Sequence, residues 1–234
     1  MKALYCGRMC RLDICYTRNT LSRYVTKWNA LCDKQLCHLY SYLLTTKYKR
    51  LHGCVAPCDV NELVIHAYPD ADLAGTFDTT KATSGAFIEV CGPNSHYPID
   101  WFSKRQSATS HSSTEAELVA ASKALRECVV PIQSLWSTML QRPVTAVIHE
   151  DNMSTITIIE SGYSPQMRHI PKHHRISLGL VHEMCKHPDI ILKHITTDKQ
   201  KGDLLTKGLA RPKHDPALQM VGIYPVIIPN KLFS

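Results

Sequence analysis

Four acidic residues, Asp70, Glu117, Asp151 and Asp203, stand at positions from which the elements of one sheet could gather them. Crowded carboxylates repel and raise one another's pKa, so such a group is tolerated mainly where cations neutralise it. Mg²⁺ takes hard oxygen ligands and shares its shell with phosphate. Two such ions about 3.5–4 Å apart can activate an attacking water and stabilise the leaving oxygen in phosphodiester cleavage. Each acid alone has an ordinary explanation as a cap, a turn or a solvated residue. Together, in the order of elements that carries them, they point to metal-dependent chemistry.

Those elements follow from the hydrophobic pattern. Residues 1–52 read as a helical extension, with Leu21, Tyr24, Trp28, Leu31, Leu36, Leu39 and Leu43 at near-helical intervals. A linker over 53–61 carries Gly53, Pro57 and Asp59. Glu62 to Tyr68 alternates as a strand that Pro69 stops, placing Asp70 at its end. Ser84–Cys91 and Tyr97–Ser103 make two further strands of a meander, joined by the turn-rich CGPNSH. A long helix over Ser113–Val130, a short strand over Val144–His149 and a helix from Asp151 or Asn152 come next. A helix at Ile176–Lys186, a strand at Ile190–Ile195 and a last helix at Lys199–Leu209 complete the body, and a proline-rich tail occupies 211–234. The expected class is α/β. Its five-stranded mixed sheet has three antiparallel strands, two parallel additions and flanking helices. If the first and fourth strands are parallel neighbours, Asp70 and Asp151 emerge at the same sheet edge, the usual site of chemistry in open α/β sheets.

Helix geometry chooses between the two glutamates of SSTEAELVAASKALRECVV. Glu117 heads a strip with Ala121, Ala124 and Cys128, small residues that can be buried. Glu115 heads Ser122 and Arg126, which read as solvated, and suits a helix-start charge or a capping-box partner of Ser112. Asp203 lies early in the last helix, while Asp198 fits its N-cap. Asp72 is either a second inward acid, if the strand continues, or a turn residue.

The chain has 234 residues, 44% apolar and 20% charged, the balance of a folded protein. Its net charge of +7, with thirteen His besides, suits a polyanionic partner such as nucleic acid. The start, MKALYCGRMC, reads as no signal peptide, and no stretch is apolar enough for a membrane helix. The ten Cys are therefore expected to be reduced and structural. Cys54 and Cys58 form a CVAPC pair near His66, but no second ligand pair follows at matching spacing, so no zinc is expected.

The segments YPDADLAGTFDTTKATSGAF, DWFSKRQSATSHSSTEAELVAASKALRE, HEDN, PKHHRI and DKQKGDLLTKGL are similar to the ribonuclease H region of copia-type retrotransposon Pol polyproteins. The resemblance covers residues 62–210. Residues 1–52 resemble the end of that family's reverse transcriptase, without its paired-aspartate motif. The resemblance implies a ribonuclease H-like fold and endonucleolytic cleavage of the RNA strand of RNA/DNA hybrids during reverse transcription. It also implies a pair of Mg²⁺ or Mn²⁺ ions held by Asp70, Glu117, Asp151 and Asp203, with reverse transcriptase and other parts of a polyprotein as partners. The setting it implies is intracellular, in cytoplasm, nucleus or virus-like particles. His194, nine residues before Asp203, matches a His that many such enzymes use near the last Asp. In two places the chain departs from the family: Leu73 stands where Trp is usual and should pack beneath the site, and Gly202 stands where Ala is common and should loosen the helix start.

Candidate contacts to the hybrid are Ser84, Lys104, Arg105, Gln106, Ser112 and Asn152, with Arg168 and Lys172 from the basic cluster at 168–175. The His residues of that cluster read as unpaired with acids. A different class of function, a catalytically silent nucleic-acid-binding remnant, would share this basic surface, and a connection-like structural subdomain is a third. The intact acids favour the nuclease.

Overall fold

A computed structural model describes residues 2–73 and 81–226. Three helices open the chain: α1 (Lys2–Met9), α2 (Cys15–Ser22) and α3 (Ala30–Thr45), followed by a short strand β1 (Lys49–Leu51). The meander is β2 (Val64–Asp72), β3 (Thr83–Gly92) and β4 (Ser95–Arg105). Helix α4 (Ser113–Ala124) runs through a π-turn at Leu125–Val129 into α5 (Val130–Leu140), and β5 (Ala146–Glu150) follows. Next come α6 (Met153–Ser161), α7 (Ile170–His173), α8 (Leu178–Cys185), β6 (Ile190–His194), the single turn α9 (Asp203–Thr206), α10 (Arg211–Met220) and β7 (Ile223–Pro225).

The main sheet has the order β4-β3-β2-β5-β6. β2, β3 and β4 pair antiparallel, while β5 and β6 add in parallel. This is the ribonuclease H-like arrangement that the sequence led us to expect. Alternation along the strands makes two buried faces. Ile65, Ala67, Ala86, Ile88, Val90, Ala146 and Ile148 pack with Leu118, Ala121, Ala124, Ile159 and Val181 of the α4, α6 and α8 layer. On the opposite face Tyr68 and Phe87 pack with Leu204, Leu205 and Leu218, and with Leu12 and Cys15 from the extension. The first residues of the chain therefore complete the core of the sheet. Trp101 Nε1 donates to the Gly7 carbonyl at 2.9 Å, and Arg23 donates to Thr83 Oγ1 at 2.8 Å. β1 and β7 pair with each other, so the extension and the tail also join.

Three boundaries differ from expectation, each for a local reason. β2 does not stop at Pro69 but runs to Asp72. β5 pairs with β2 only over Ile65–Ala67, and the Pro69 carbonyl faces the side that β5 has left, accepting from Gln200 Nε2 at 3.0 Å. The missing N–H of the proline points the same way and costs no ladder bond. The long helix continues past Val130 to Leu140; its π-turn immediately precedes Pro131, which has no N–H to bond one turn back. The last helix is not continuous from Lys199. A 3-10 turn at Thr197–Lys199 gives way to an extended Gln200 before the single turn of α9. Gln200 is extended because its amide fills the gap between β2 and β5.

Leu12 is fully buried against this second face. Replacing Leu12 with Ala should cost roughly 2–5 kcal/mol in urea denaturation. A loss below about 1 kcal/mol, the range of surface substitutions, would mean that the extension is not part of the core.

Candidate active site

The pairing of β2 with β5 ends at Ala67 and Ile148, and both chains continue beyond it. Carboxylates converge in the opening this leaves. Asp70 lies in β2 opposite Gly85 of β3 and is 1% exposed. Glu117 descends from the second turn of α4 and is 6% exposed. Asp151 follows the last residue of β5 and is half-buried. One carboxylate oxygen from each of the three lies within 4.8 Å of the others. Among the described residues no other group of His, Cys, Asp or Glu meets that spacing. The strip that placed Glu117 inward holds, since Ala121, Ala124 and Cys128 are all buried.

Asp203, the first residue of α9, stands beside the three rather than among them. Lys207 joins it to the group: its Nζ is 2.5 Å from Asp203 Oδ1 and 3.3 Å from Asp70 Oδ1. The Thr206 hydroxyl donates to the other oxygen of Asp70. The Thr197 hydroxyl donates to Asp151 Oδ2 at 3.0 Å. Gly202 lets α9 approach: a Cβ there would lie 2.7 Å from Asp70 Cβ and 2.7 Å from the Tyr68 carbonyl. The residue thus sets a close contact. Leu73 packs on the small residues Ala71, Ala82, Ala116 and Ala120. Asp72 lies within β2 and is half-buried.

A further acid here went unread in the sequence. Glu150 is wholly buried, with Oε1 accepting from the Asn152 N–H at 3.2 Å and Oε2 without a partner. Strand parity could have found it, since Glu150 shares a face of β5 with the core residues Ala146 and Ile148. Burial pushes the carboxyls of Asp70, Glu117 and Glu150 up, and their mutual charges push them further. Lys207 pulls Asp70 back only in part. Lys207 itself is held more firmly protonated by Asp70 and Asp203.

The other buried acids among the described residues are neutralised by the protein. Asp13 lies 2.7 Å from Arg11 Nη2, and Glu89 lies 2.5 Å from Lys201 Nζ. Asp59 accepts from the Asn94 N–H and from Ser95 Oγ, each at 2.6 Å. Glu117 Oε2 is instead buried with no hydrogen-bond partner. An orphaned carboxylate oxygen facing two further acids is a donor set of the kind a divalent cation satisfies, so these residues fit such an ion.

Glu115 is not solvated as expected. It is 1% exposed and lies 2.9 Å from His174 Nε2 and 3.1 Å from His169 Nε2. Those histidines are therefore paired with an acid after all. The capping role of Ser112 is present, its hydroxyl accepting from the Glu115 N–H at 3.1 Å. Ser122 is buried too, while Arg126 is exposed. His194 is exposed at the end of β6, in register with Glu150.

The candidate nucleic-acid residues divide. Ser84, Lys104, Arg105 and Gln106 line one open cleft of about 220 Å³ together with Lys123 and Arg175. Ser84 pairs with Ala71, the residue after Asp70 in β2, and none of the four acids lines the cleft. Within it Gln106 is a tie: its amide donates to Ser84 Oγ and to the Ala116 carbonyl, and accepts from Ser110. Ser112, Asn152, Arg168 and Lys172 lie outside the lining. Asn152 caps α6 by accepting from the N–H groups of Ser154 and Thr155, Arg168 donates to the Tyr163 hydroxyl, and Lys172 is exposed. No helix of the described residues is long and apolar enough to cross a membrane.

A mixed sheet of this order with carboxylates at the ends of its two central strands defines a ribonuclease H-like architecture. The chain's homologues are retrovirus-related Pol polyproteins of copia-type transposons. It is 29% identical over 222 residues to that of transposon RE2 of Arabidopsis thaliana, which covers 92% of this chain. It is 29% identical over 216 residues to that of RE1 from the same plant, and 27% identical over 162 residues to that of TNT 1-94 of Nicotiana tabacum. The chain spans about 14% of the length of the first two. No protein-family model matches it. Among solved structures, LC11-RNase H1 isolated from compost aligns with a TM-score of 0.44 at 15% identity, covering 66% of this chain and 98% of that one. A foamy viral protease–reverse transcriptase in complex with RNA/DNA hybrid aligns at 0.42 and 12% identity, covering 69% of this chain and 21% of that one.

Without a bound cation, Glu117 must be either protonated or repelled, and an amide avoids both. Replacing Glu117 with Gln should stabilise the metal-free protein by roughly 1–3 kcal/mol near neutral pH. Because the folded-state pKa is raised, the wild-type carboxyl loses stability as pH rises above its unfolded value, so the advantage should grow between about pH 5 and 8. Denaturation in chelator across that range checks the sign. A destabilised variant would mean that the acid is already neutralised within the fold.

Proposed function

We propose that this chain is the ribonuclease H of a retrotransposon Pol polyprotein, cutting the RNA strand of RNA/DNA hybrids with Mg²⁺ or Mn²⁺. The observation that carries this reading is the group Asp70, Glu117 and Asp151, three carboxylates within 4.8 Å of one another, with a buried Glu117 oxygen left unpartnered. Asp70, Glu117 and Asp151 would hold one divalent ion, and Asp70 with Asp203 a second. Bound there, the ions would supply an activated water and a Lewis acid for the leaving oxygen.

The protein's own groups prepare this. Thr206 and Lys207 fix the Asp70 carboxylate through its two oxygens, so it is oriented before any ligand arrives. Thr197 holds Asp151 in the same way. Burial of Asp70 and Glu117 keeps competing water from their carboxylates. Lys104 and Arg105 at the end of β4, with Lys123 and Arg175 across the cleft, offer cations to a phosphate backbone. Contact with backbone and 2′-hydroxyls suits recognition of a hybrid by its shape, without reading base sequence. His194, exposed at the end of β6, would serve product release or proton transfer. The Pol-like relatives support reverse transcriptase as a neighbour in the same polyprotein and an intracellular setting.

The test is cleavage of a labelled RNA/DNA hybrid with Mg²⁺ or Mn²⁺. Asp70→Asn and Asp151→Asn should each lower the rate at least about a thousandfold. Hybrid binding without metal-dependent cutting by the wild type would favour a silent nucleic-acid-binding protein, and cutting that survives both substitutions would refute the site. Replacing Lys104 and Arg105 together with Ala should weaken hybrid binding by about tenfold at moderate salt and reduce its salt dependence. Unchanged binding would place the nucleic acid elsewhere.

A further inference from the structure

Lys207 is the one cation of the described residues within 4 Å of Asp70 or Asp203, and it touches both. Its contact with Asp203 is an ordinary one-turn spacing along the chain, but Asp70 comes from the central strand, 137 residues away. The preceding residue, Thr206, donates to the remaining oxygen of Asp70. Two consecutive residues at the end of α9 thus occupy both Asp70 oxygens. Among the described residues neither Glu117 nor Asp151 has an ion pair, and Asp203 is missing from the close group of three. The site is therefore unequal in its two halves: Lys207 touches the group of three only at Asp70, whereas it bridges both carboxylates of the pair Asp70 and Asp203.

We infer that Lys207 is a built-in counter-cation that occupies the place of a divalent ion between Asp70 and Asp203, so that the site takes a first ion readily and a second only when Lys207 is displaced. The inference rests on the nuclease reading and concerns the regulation of that same site. An ammonium and a divalent ion cannot share two carboxylate oxygens without strong repulsion. Lys207 is also able to leave. Its side chain is 34% exposed, and its flexible stem lets the ammonium swing toward solvent or onto a phosphate of an arriving strand. A polyanion arriving at these carboxylates would draw Lys207 off them and open the second half of the site, coupling ion loading to substrate.

The experiment is Mn²⁺ titration of the full chain without nucleic acid, followed by calorimetry and by the electron paramagnetic resonance of bound Mn²⁺. The wild type should take one ion and bind a second at least about tenfold more weakly. Lys207→Met should tighten the second by about tenfold and the first by less, and Lys207→Arg should behave as wild type. Adding Asp203→Asn to Lys207→Met should abolish the gain. Lys207→Gln, uncharged but able to hydrogen-bond both carboxylates, serves if the methionine variant folds poorly. A second ion that binds Lys207→Met and Lys207→Gln no more tightly than wild type would overturn the inference and leave the nuclease reading standing. Failure of every variant and of the wild type to bind Mn²⁺ would overturn both.

Discussion

The structure turns on an electrostatic problem that the protein leaves open. It buries carboxylates in several places and elsewhere answers each with its own cations or donors: Arg11 for Asp13, Lys201 for Glu89, His174 for Glu115. At the gap between β2 and β5 it does not. Asp70, Glu117 and Glu150 are buried beside Asp151, and Lys207 reaches only Asp70 and Asp203. Concentrating like charge in a low-dielectric setting is costly, and the cost is recovered only when a cation arrives. That deficit ties the fold to a metal-dependent reading.

The rest of the architecture keeps the deficit in place. Parallel pairing of β2 with β5 brings Asp70 and Asp151 to one edge, and the early end of that pairing makes the opening. Gln200 bridges the opening and spares Pro69 a ladder bond, which allows β2 to carry Asp70 beyond the pairing. Small residues on α4 let Glu117 come down from one face, while Gly202 lets α9 bring Thr206, Lys207 and Asp203 up to the same opening. The N-terminal helices complete the core beneath α9, so they share in holding these groups.

Much of this was legible in the residues. Alternation gave the meander and the two parallel strands, and the strip through Ala121, Ala124 and Cys128 put Glu117 inward, although Glu115 and Ser122 are buried as well. The misses have physical causes. Pro69 reads as a stop only if its N–H side needs a partner, which depends on where another strand ends. The last helix was drawn too long because Gln200 takes its conformation from a contact with β2, 131 residues away. Glu115 was read as exposed because helix position alone cannot foresee His169 and His174 folding over it. Lys207 went unread because its meaning lies in a tertiary contact. Of the proposed nucleic-acid residues, those at the end of β4 share a cleft, whereas Ser112 and Asn152 are spent on capping helices.

The central claim is that the acids at the end of β2 and β5 are a cation site. Crystals soaked in Mn²⁺ and measured at its absorption edge test it directly. The account predicts an anomalous peak about 2.1–2.2 Å from oxygens of Asp70, Glu117 and Asp151. Anomalous density absent from these three carboxylates, or present only at surface histidines, would contradict it.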